Sequence, residues 1–438
     1  MYRAKDRKTR YLFSDLFPFG GKLNERNRWL RISELIPWEE LEKEYAKYFS
    51  DVGRPASDAQ LIIGLLLLKH MTGLSDDGVV AEVLENPYMQ AFCGFEQFVT
   101  EELLDPSTLT KMRERLGLEF FKELERKTYE VLIERKIIKA KGMIVDATVF
   151  PEEIKYPNDV GLLNDVREWL VRKIKRMGSA IGKKFRTYSR KARKDYLNFS
   201  KKRRKTKKVI ARAKRQMLQY VRRNLKQLKE VIEVVRAKGQ KVKEKIIKGL
   251  EVGEKIYHQQ LEMYRRKVNR IAERIVSFHR PYVRPIKRGK SGKDVEFGGK
   301  GALQHVGGYL FLDHFEHSAF GEEALMGVHL SSYVELFGKL PPYISADTKY
   351  GTRDNRELAE TLEIRPSFKP LGRKRKDYKY DRWFKDKQRE RNRIEGSFGH
   401  GKQHCGLDRV RYSVKDGSEI WVRAGILAMN LKTAATRA

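Results

Sequence analysis

Residues 143–148 read Met-Ile-Val-Asp-Ala-Thr, and this short stretch decides the class of fold. Its apolar and β-branched residues predict a strand, and it follows a helical pattern at about 119–135. A similar run, Tyr-Ile-Ser-Ala-Asp at 343–347, also ends in an aspartate. Further strands are predicted near 295–297, 309–312 and 366–368, with a helix near 353–362. This alternation predicts an α/β fold with a mixed sheet.

The chain before the first strand has helical periodicity. Ser57 is the predicted N-cap of a helix that ends at Gly73, Ser75 is the cap of a second, and Pro106 opens a third, basic helix. We therefore predict an N-terminal segment at 1–53 and an all-helical domain at 54–137. Its short helices resemble a helix-turn-helix DNA-binding layout, and a purely supporting bundle is the alternative.

A strongly basic stretch follows the first strand. Residues 171–220 contain 21 Lys or Arg and one acid, Asp195. Such a run favours the phosphate backbone of DNA through counterion release, and a solvated face is the alternative. The DNA-binding residues predicted here are Lys201, Lys202, Arg203 and Arg204.

Two apolar stripes then predict a helical hairpin. The first runs from Met217 to Val235 and stops before Gly239, and the second runs from Tyr257 to Ile275 with steps close to a heptad repeat. The hairpin also offers a surface for dimerisation. We expect residues 165–292 to form a basic helical insertion in one α/β domain made of 138–164 and 293–438.

The whole-chain composition indicates a polyanionic partner. Lys and Arg number 93 against 58 Asp and Glu, which gives a net charge of +35 and makes nucleic acid the leading candidate. Two cysteines are too few for a disulfide framework, and no signal-peptide-like or membrane-spanning apolar run occurs. The expected location is the cytoplasm, without a membrane partner.

Three acidic residues are candidates for metal-dependent chemistry. Asp146 and Asp347 each end an apolar run, where a carboxylate is costly unless a ligand or partner compensates it. Glu395 shares one face of a predicted helix with Gln388, Arg391, Phe398 and Lys402. Together the acids are suited to hold two Mg²⁺ ions for phosphoryl transfer. The alternatives are capping or salt-bridged aspartates and a surface Arg391–Glu395 ion pair.

These residues resemble the DDE transposases of bacterial insertion sequences, whose catalytic domain has the ribonuclease-H-like fold. The resemblance rests on Asp146-Ala147-Thr148-Val149 with the following 154–163, on 346–351 with Asn355, and on the Arg391, Glu395, Lys402 spacing. It covers roughly 54–164 and 293–410.

The resemblance implies a catalytic, metal-binding triad of Asp146, Asp347 and Glu395, with two Mg²⁺ ions or alternatively Mn²⁺. It implies cleavage at the ends of the insertion sequence and joining of 3′-hydroxyl ends to target DNA, with a homodimer on double-stranded DNA. Arg391 and Lys402 are expected to contact the transposon end, and Lys349 and Arg353 are further predicted DNA contacts.

The chain departs from its relatives in two places. Gln388 stands where some relatives have a Tyr three residues before the motif's Arg, and the helical insertion falls earlier than the mainly β insertion of others. Two rival functions remain open, a ribonuclease-H-like nuclease without strand transfer and a non-catalytic DNA-binding protein. Zinc at His400 and His404 is disfavoured because a third protein ligand is lacking.

Overall fold

The computed structural model describes residues 23–287, 295–372, 381–413 and 416–437. The chain divides into two compact units. The first contains Met1–Glu153 and Gly298–Ala438, and the second contains Ile154–Phe297. The helical region at the N-terminus therefore belongs to the same unit as the sheet. The four domain limits derived from the sequence stay predictions.

From residue 23, where the described part of the chain begins, six helices precede the sheet. They are α1 (Arg28–Ser33), α2 (Trp38–Ala46), α3 (Ala59–Thr72), α4 (Asp76–Glu85), α5 (Pro87–Phe92) and α6 (Ser107–Glu134). Helix α3 ends at Gly73 in a left-handed conformation, and Ser75 caps α4. The N-cap of α3 is Asp58 and not Ser57, because the Asp58 carboxylate accepts the Leu61 amide at 3.0 Å.

One basic side chain of the third predicted helix is buried inside the fold. Arg113 on α6 is buried, its guanidinium donates to both carboxylate oxygens of Asp76, and it lies over the Tyr412 ring. Residues 93–106 separate α5 from α6, whereas a helix-turn-helix joins its two helices by three or four residues. DNA binding by 54–137 stays a prediction, and Arg113 is not available for it.

The strands confirm the mixed α/β class. They are β1 (Met143–Pro151), β2 (Arg284–Lys287), β3 (Val295–Val306), β4 (Tyr309–Glu316), β5 (Tyr343–Ala346) and β6 (Arg365–Ser367). In the first unit the strand order is β4-β3-β1-β5-β6. Strands β1, β5 and β6 are parallel, and β3 is antiparallel to both β1 and β4. This mixed sheet is consistent with the predicted ribonuclease-H-like fold.

The described residues of the second unit form four helices. They are α7 (Asp159–Ala180), α8 (Ser189–Ser200), α9 (Lys207–Ala237) and α10 (Glu244–Arg266). The apolar stripe of α9 shares a core with Leu163 and Val166 of α7 as well as with α10. The predicted second stripe is wrong beyond Arg266, because Lys267 adopts a left-handed conformation that ends α10 before Ile275.

The remaining helices cover the sheet of the first unit. They are α11 (Met326–Phe337), α12 (Arg353–Thr361), α13 (Arg382–His404) and α14 (Gly417–Arg437). Helix α14 is buried along most of its length, and Asn430 donates to the Leu310 carbonyl of β4 and accepts from its amide. The helices and the sheet therefore share one hydrophobic core. No helix in the described ranges has the length and apolarity of a membrane span.

Candidate active site

Parallel pairing of β1 and β5 brings two of the predicted acids side by side. Val145 pairs with Ala346, so Asp146 and Asp347 directly follow partners on neighbouring parallel strands. Strand β5 ends at Ala346, whereas β1 continues past Asp146 to Pro151. Asp146 therefore lies within its strand rather than at its end. The crevice beyond β5 is where α/β sheets bind ligands.

The Asp146 carboxylate is strongly affected by its surroundings. Its side chain is 16% exposed and accepts the Ala147 amide at 2.8 Å. Burial raises the pKa of Asp146 to about 6, with smaller contributions from the charges of Glu322 and Asp347, while Arg391 and the Ala147 amide act in the opposite direction. A raised pKa of this kind is typical of functional carboxylates.

Asp347 begins the turn that follows β5. Its carboxylate accepts the Thr348 amide at 2.7 Å and caps a single turn of 3₁₀ helix, Thr348–Tyr350. Asn355, at the start of α12, donates to the carbonyls of Tyr350 and Glu323, both at 2.9 Å. These bonds fix the backbone on which Asp347 stands.

Helix α13 carries the third acid. Its residue Arg391 links two of the candidates, because Nη1 lies 3.6 Å from Asp146 Oδ2 and 3.4 Å from Glu395 Oε1. The Glu395 side chain is 55% exposed, while the neighbouring Ile394 is buried. Gln388 donates to the Ser367 carbonyl of β6 at 2.6 Å, so it attaches α13 to the sheet.

The three acids do not form a closed metal site. Among the described residues, no group of three or more His, Cys, Asp or Glu side chains is close enough to hold a metal ion. Asp146 and Glu395 share Arg391 as a neighbour, and Asp347 acts electrostatically on Asp146. Their assignment as a catalytic triad stays a proposal.

The predicted DNA contacts lie in different settings. Lys402 donates to Thr148 Oγ1 at 3.0 Å, two residues along β1 from Asp146. Lys349 is 64% exposed beside Glu322, and Arg353 is exposed at the first position of α12. Lys201, Lys202, Arg203 and Arg204 are all exposed and follow α8 in the second unit.

Sequence reasoning missed Glu322. Its buried carboxylate lies 2.8 Å from Lys300 Nζ and 3.5 Å from Lys349 Nζ, and its charge raises the pKa of both Asp146 and Tyr350. Glu322 belongs to a short 3₁₀ helix before α11. No local pattern marks it, since it is one acid of an ordinary Glu-Glu pair in a loop.

Sequence reasoning also missed a buried polar chain behind Asp347. His329 Nδ1 contacts the Asp313 carboxylate, and its Nε2 lies 3.2 Å from Tyr350 Oη. The side chains of Asp313 and His329 are fully buried, and Ser332 Oγ donates to the same carboxylate at 2.6 Å. The contact pairs Asp313 with a histidine on α11 rather than with the sequence neighbours His314 and His317.

Two protein-family models match parts of the chain. A transposase domain, DUF772, matches residues 17–115, and a transposase DDE domain matches 344–432. Over 173 residues the chain is 34% identical to "Uncharacterized protein ORF8 in nfe locus" of Rhizobium meliloti, a match that covers 39% of this chain and 84% of that protein. No solved structure matches the chain. The chain belongs to the DDE transposases of insertion sequences.

Proposed function

We propose that this transposase cleaves DNA at the ends of its insertion sequence and joins the freed 3′-hydroxyl ends to target DNA. The observation that carries the proposal is the pairing of Val145 with Ala346, which sets Asp146 beside Asp347, together with the contacts of Arg391 to Asp146 and Glu395. One acid of a strand and one acid of a helix thus flank Arg391, and Asp347 follows the neighbouring parallel strand. In two-metal phosphoryl transfer, carboxylates hold the ions, and a nearby guanidinium can stabilise the charge of the phosphate.

The donor set fits a hard divalent cation. The candidate ligands are carboxylate oxygens, which suit Mg²⁺ and Mn²⁺. Asp146 is buried with one arginine near it and two further acids that disfavour its ionisation. A bound cation would supply the missing compensation. Asp146, Asp347 and Glu395 are the residues that would hold two ions, and the ions would polarise the phosphodiester and activate the attacking hydroxyl.

The chain's own cations position the DNA in this proposal. Arg391 is held against Asp146 and Glu395, and its planar guanidinium suits bidentate contact with a phosphate. Lys402 is fixed by Thr148, and Lys349 extends from the turn after Asp347. These three side chains therefore orient the backbone beside the acids.

The test is strand cleavage and joining by the full chain on duplex DNA that flanks its reading frame, with Mg²⁺. Asp146→Asn and Glu395→Gln should each abolish cleavage while DNA retention persists. Asp354→Asn is the matched control, since Asp354 is an exposed acid in the first turn of α12. Undiminished cleavage by either active-site variant would refute the assignment of that acid.

The products separate the proposed activity from its rivals. Joined products in which a 3′-end is linked to target DNA support a transposase with strand transfer. Cleavage without joining would favour a nuclease, and intact DNA with Mg²⁺ would favour a binding protein.

We also propose that two protomers act together on DNA. Joining both ends of one element requires two cleavage events in a single complex. Two protomers would supply the two active sites for these events. Light scattering with and without end DNA measures the stoichiometry. A complex that contains one protomer on each DNA molecule throughout the active concentration range would contradict the proposal.

A further inference from the structure

A basic groove lies at the end of the sheet where the central strand β1 begins. Two neighbouring cavities of about 510 and 640 Å³ share Lys141, Gly307 and Arg437 in their walls and so form one groove. One end is walled by α13, α14 and the β3–β4 turn, and the other by α1 and the segment after α6. Every residue of this groove belongs to the first unit.

The groove carries a large excess of positive charge. Its exposed cations are Arg135, Lys136, Lys139, Lys141, Arg393 and Arg437. Its acids are Glu34 and Glu390, and Glu390 is already paired with Lys387 at 2.8 Å. Within the described part of the chain, no carboxylate lies within ion-pair distance of Lys136, Lys139 or Lys141. These lysines are therefore free to contact an anion.

A buried histidine at one end gives a second observation that points to a ligand. The His305 side chain lines the cavity and is 4% exposed, and its Nδ1 has no hydrogen-bond partner among the described residues. Burial, with a smaller contribution from the charge of Arg393, lowers the pKa of His305 to about 4. A neutral imidazole offers one N–H donor and one acceptor nitrogen. A buried polar atom without a partner is costly, so a ligand that satisfies it is favoured.

We propose that this groove binds the phosphate backbone of duplex DNA outside the phosphodiester that is cleaved. The inference rests on the proposed function and adds to it a second, non-catalytic contact surface. An elongated groove with separate lysines and arginines fits a repeating polyanion better than a single small anion. Lys141 is five residues before Asp146, which at the rise of a strand places their backbones roughly 16 Å apart. The groove thus holds DNA at the end of the sheet opposite the crevice beyond β5, and its lysines do not contact the phosphodiester that is cleaved.

The experiment compares two pairs of charge removals in the full chain carrying Asp146→Asn, which keeps the DNA uncut. The groove variant is Lys139→Gln with Lys141→Gln. The control variant is Lys43→Gln with Lys339→Gln, two exposed lysines outside the groove in the same unit. Affinity for duplex DNA is measured between about 50 and 200 mM salt.

The groove variant should lose about 2 from the slope of log affinity against log salt, since each lysine on a phosphate contributes about 1. The control variant should keep the slope. Equal slopes for both variants, whether both fall or both stay, would overturn the proposal. Thermal unfolding checks the fold, and Lys136→Gln with Lys141→Gln serves as a second groove variant if the first is destabilised.

Cleavage with native Asp146 separates this proposal from the proposed function. The groove variant should need more DNA for half-maximal cleavage and keep the wild-type rate at saturating DNA. A groove variant that cleaves more slowly at saturating DNA, with an unchanged DNA concentration for half-maximal cleavage, would overturn a pure binding role. A wild-type chain that never cleaves DNA would contradict the proposed function but not the groove, because the salt dependence of binding is measured on uncut DNA.

Discussion

Arg391 places Nη1 3.6 Å from Oδ2 of Asp146, across the gap between helix α13 and strand β1. The same nitrogen lies 3.4 Å from Glu395 Oε1. One guanidinium therefore attracts both a buried acid of the strand and an exposed acid of the helix. The Arg391 side chain is itself only 19% exposed. Removing Arg391 would leave the buried Asp146 carboxylate without its neighbouring cation.

Truncation of Arg391 should therefore impair cleavage much more than truncation of its neighbour. We expect Arg391→Ala to lower the cleavage rate at least about tenfold, since one lost charge-assisted contact in a transition state is worth over 1.4 kcal/mol. Arg389→Ala on the same helix is the control, because Arg389 is 80% exposed and its carboxylate neighbour is Asp386 at 3.6 Å. Similar losses for the two variants would contradict a specific role for Arg391.

Asp146→Asn should stabilise the metal-free protein, and more so as the pH rises. The pKa of Asp146 is raised from 3.8 to about 6, so the folded state binds the proton more tightly than the unfolded state. Ionisation of Asp146 therefore costs stability as the pH rises from about 4 to 6. At 1.36 kcal/mol for each pKa unit, the difference reaches about 3 kcal/mol at pH 7 and vanishes near pH 3.

Urea unfolding with a chelator present, at several pH values between 3 and 7, measures this difference. Asp354→Asn provides a comparison at an exposed acid of the same unit. A free-energy difference between Asp146→Asn and the wild type that stays constant over this range would show that Asp146 is not destabilised by burial.

Loss of the Tyr350 hydroxyl should weaken the support of the Asp347 turn. Tyr350→Phe leaves the fully buried His329 Nε2 without its 3.2 Å partner, which should lower the free energy of unfolding by about 1–3 kcal/mol. Tyr156→Phe is the control, because Tyr156 is 81% exposed. Equal urea midpoints for the two variants would show that the His329–Tyr350 contact contributes nothing to stability.

Neutralising the basic run after α8 should flatten the salt dependence of DNA binding. Glutamine at Lys201, Lys202, Arg203 and Arg204 should remove up to about 4 from the salt slope if every one contacts a phosphate. The control replaces Lys238, Lys241, Lys243 and Lys245, four exposed lysines at the connection of α9 and α10. A slope that falls equally in both variants would assign the effect to net charge.

Local sequence features determined many of the elements. Apolar and β-branched residues located β1 and β5, and Gly73 and Ser75 marked a helix end and a helix start. These features depend on backbone propensity and on contacts within a few residues, so a single chain displays them. The order of acids and the Arg391, Glu395, Lys402 spacing were readable for the same reason.

The sequence by itself thus determined the fold class, the candidate acids and the need for a polyanionic partner. Only the tertiary structure decided that Asp146 stands beside Asp347 and that Arg391 contacts Asp146. It also decided that the charge of Glu322 acts on Asp146 and that Arg113 forms an ion pair with Asp76. Each of these facts depends on strand pairing or helix packing between distant segments. Such contacts arise from the burial of many side chains at once, and no short stretch of sequence encodes them.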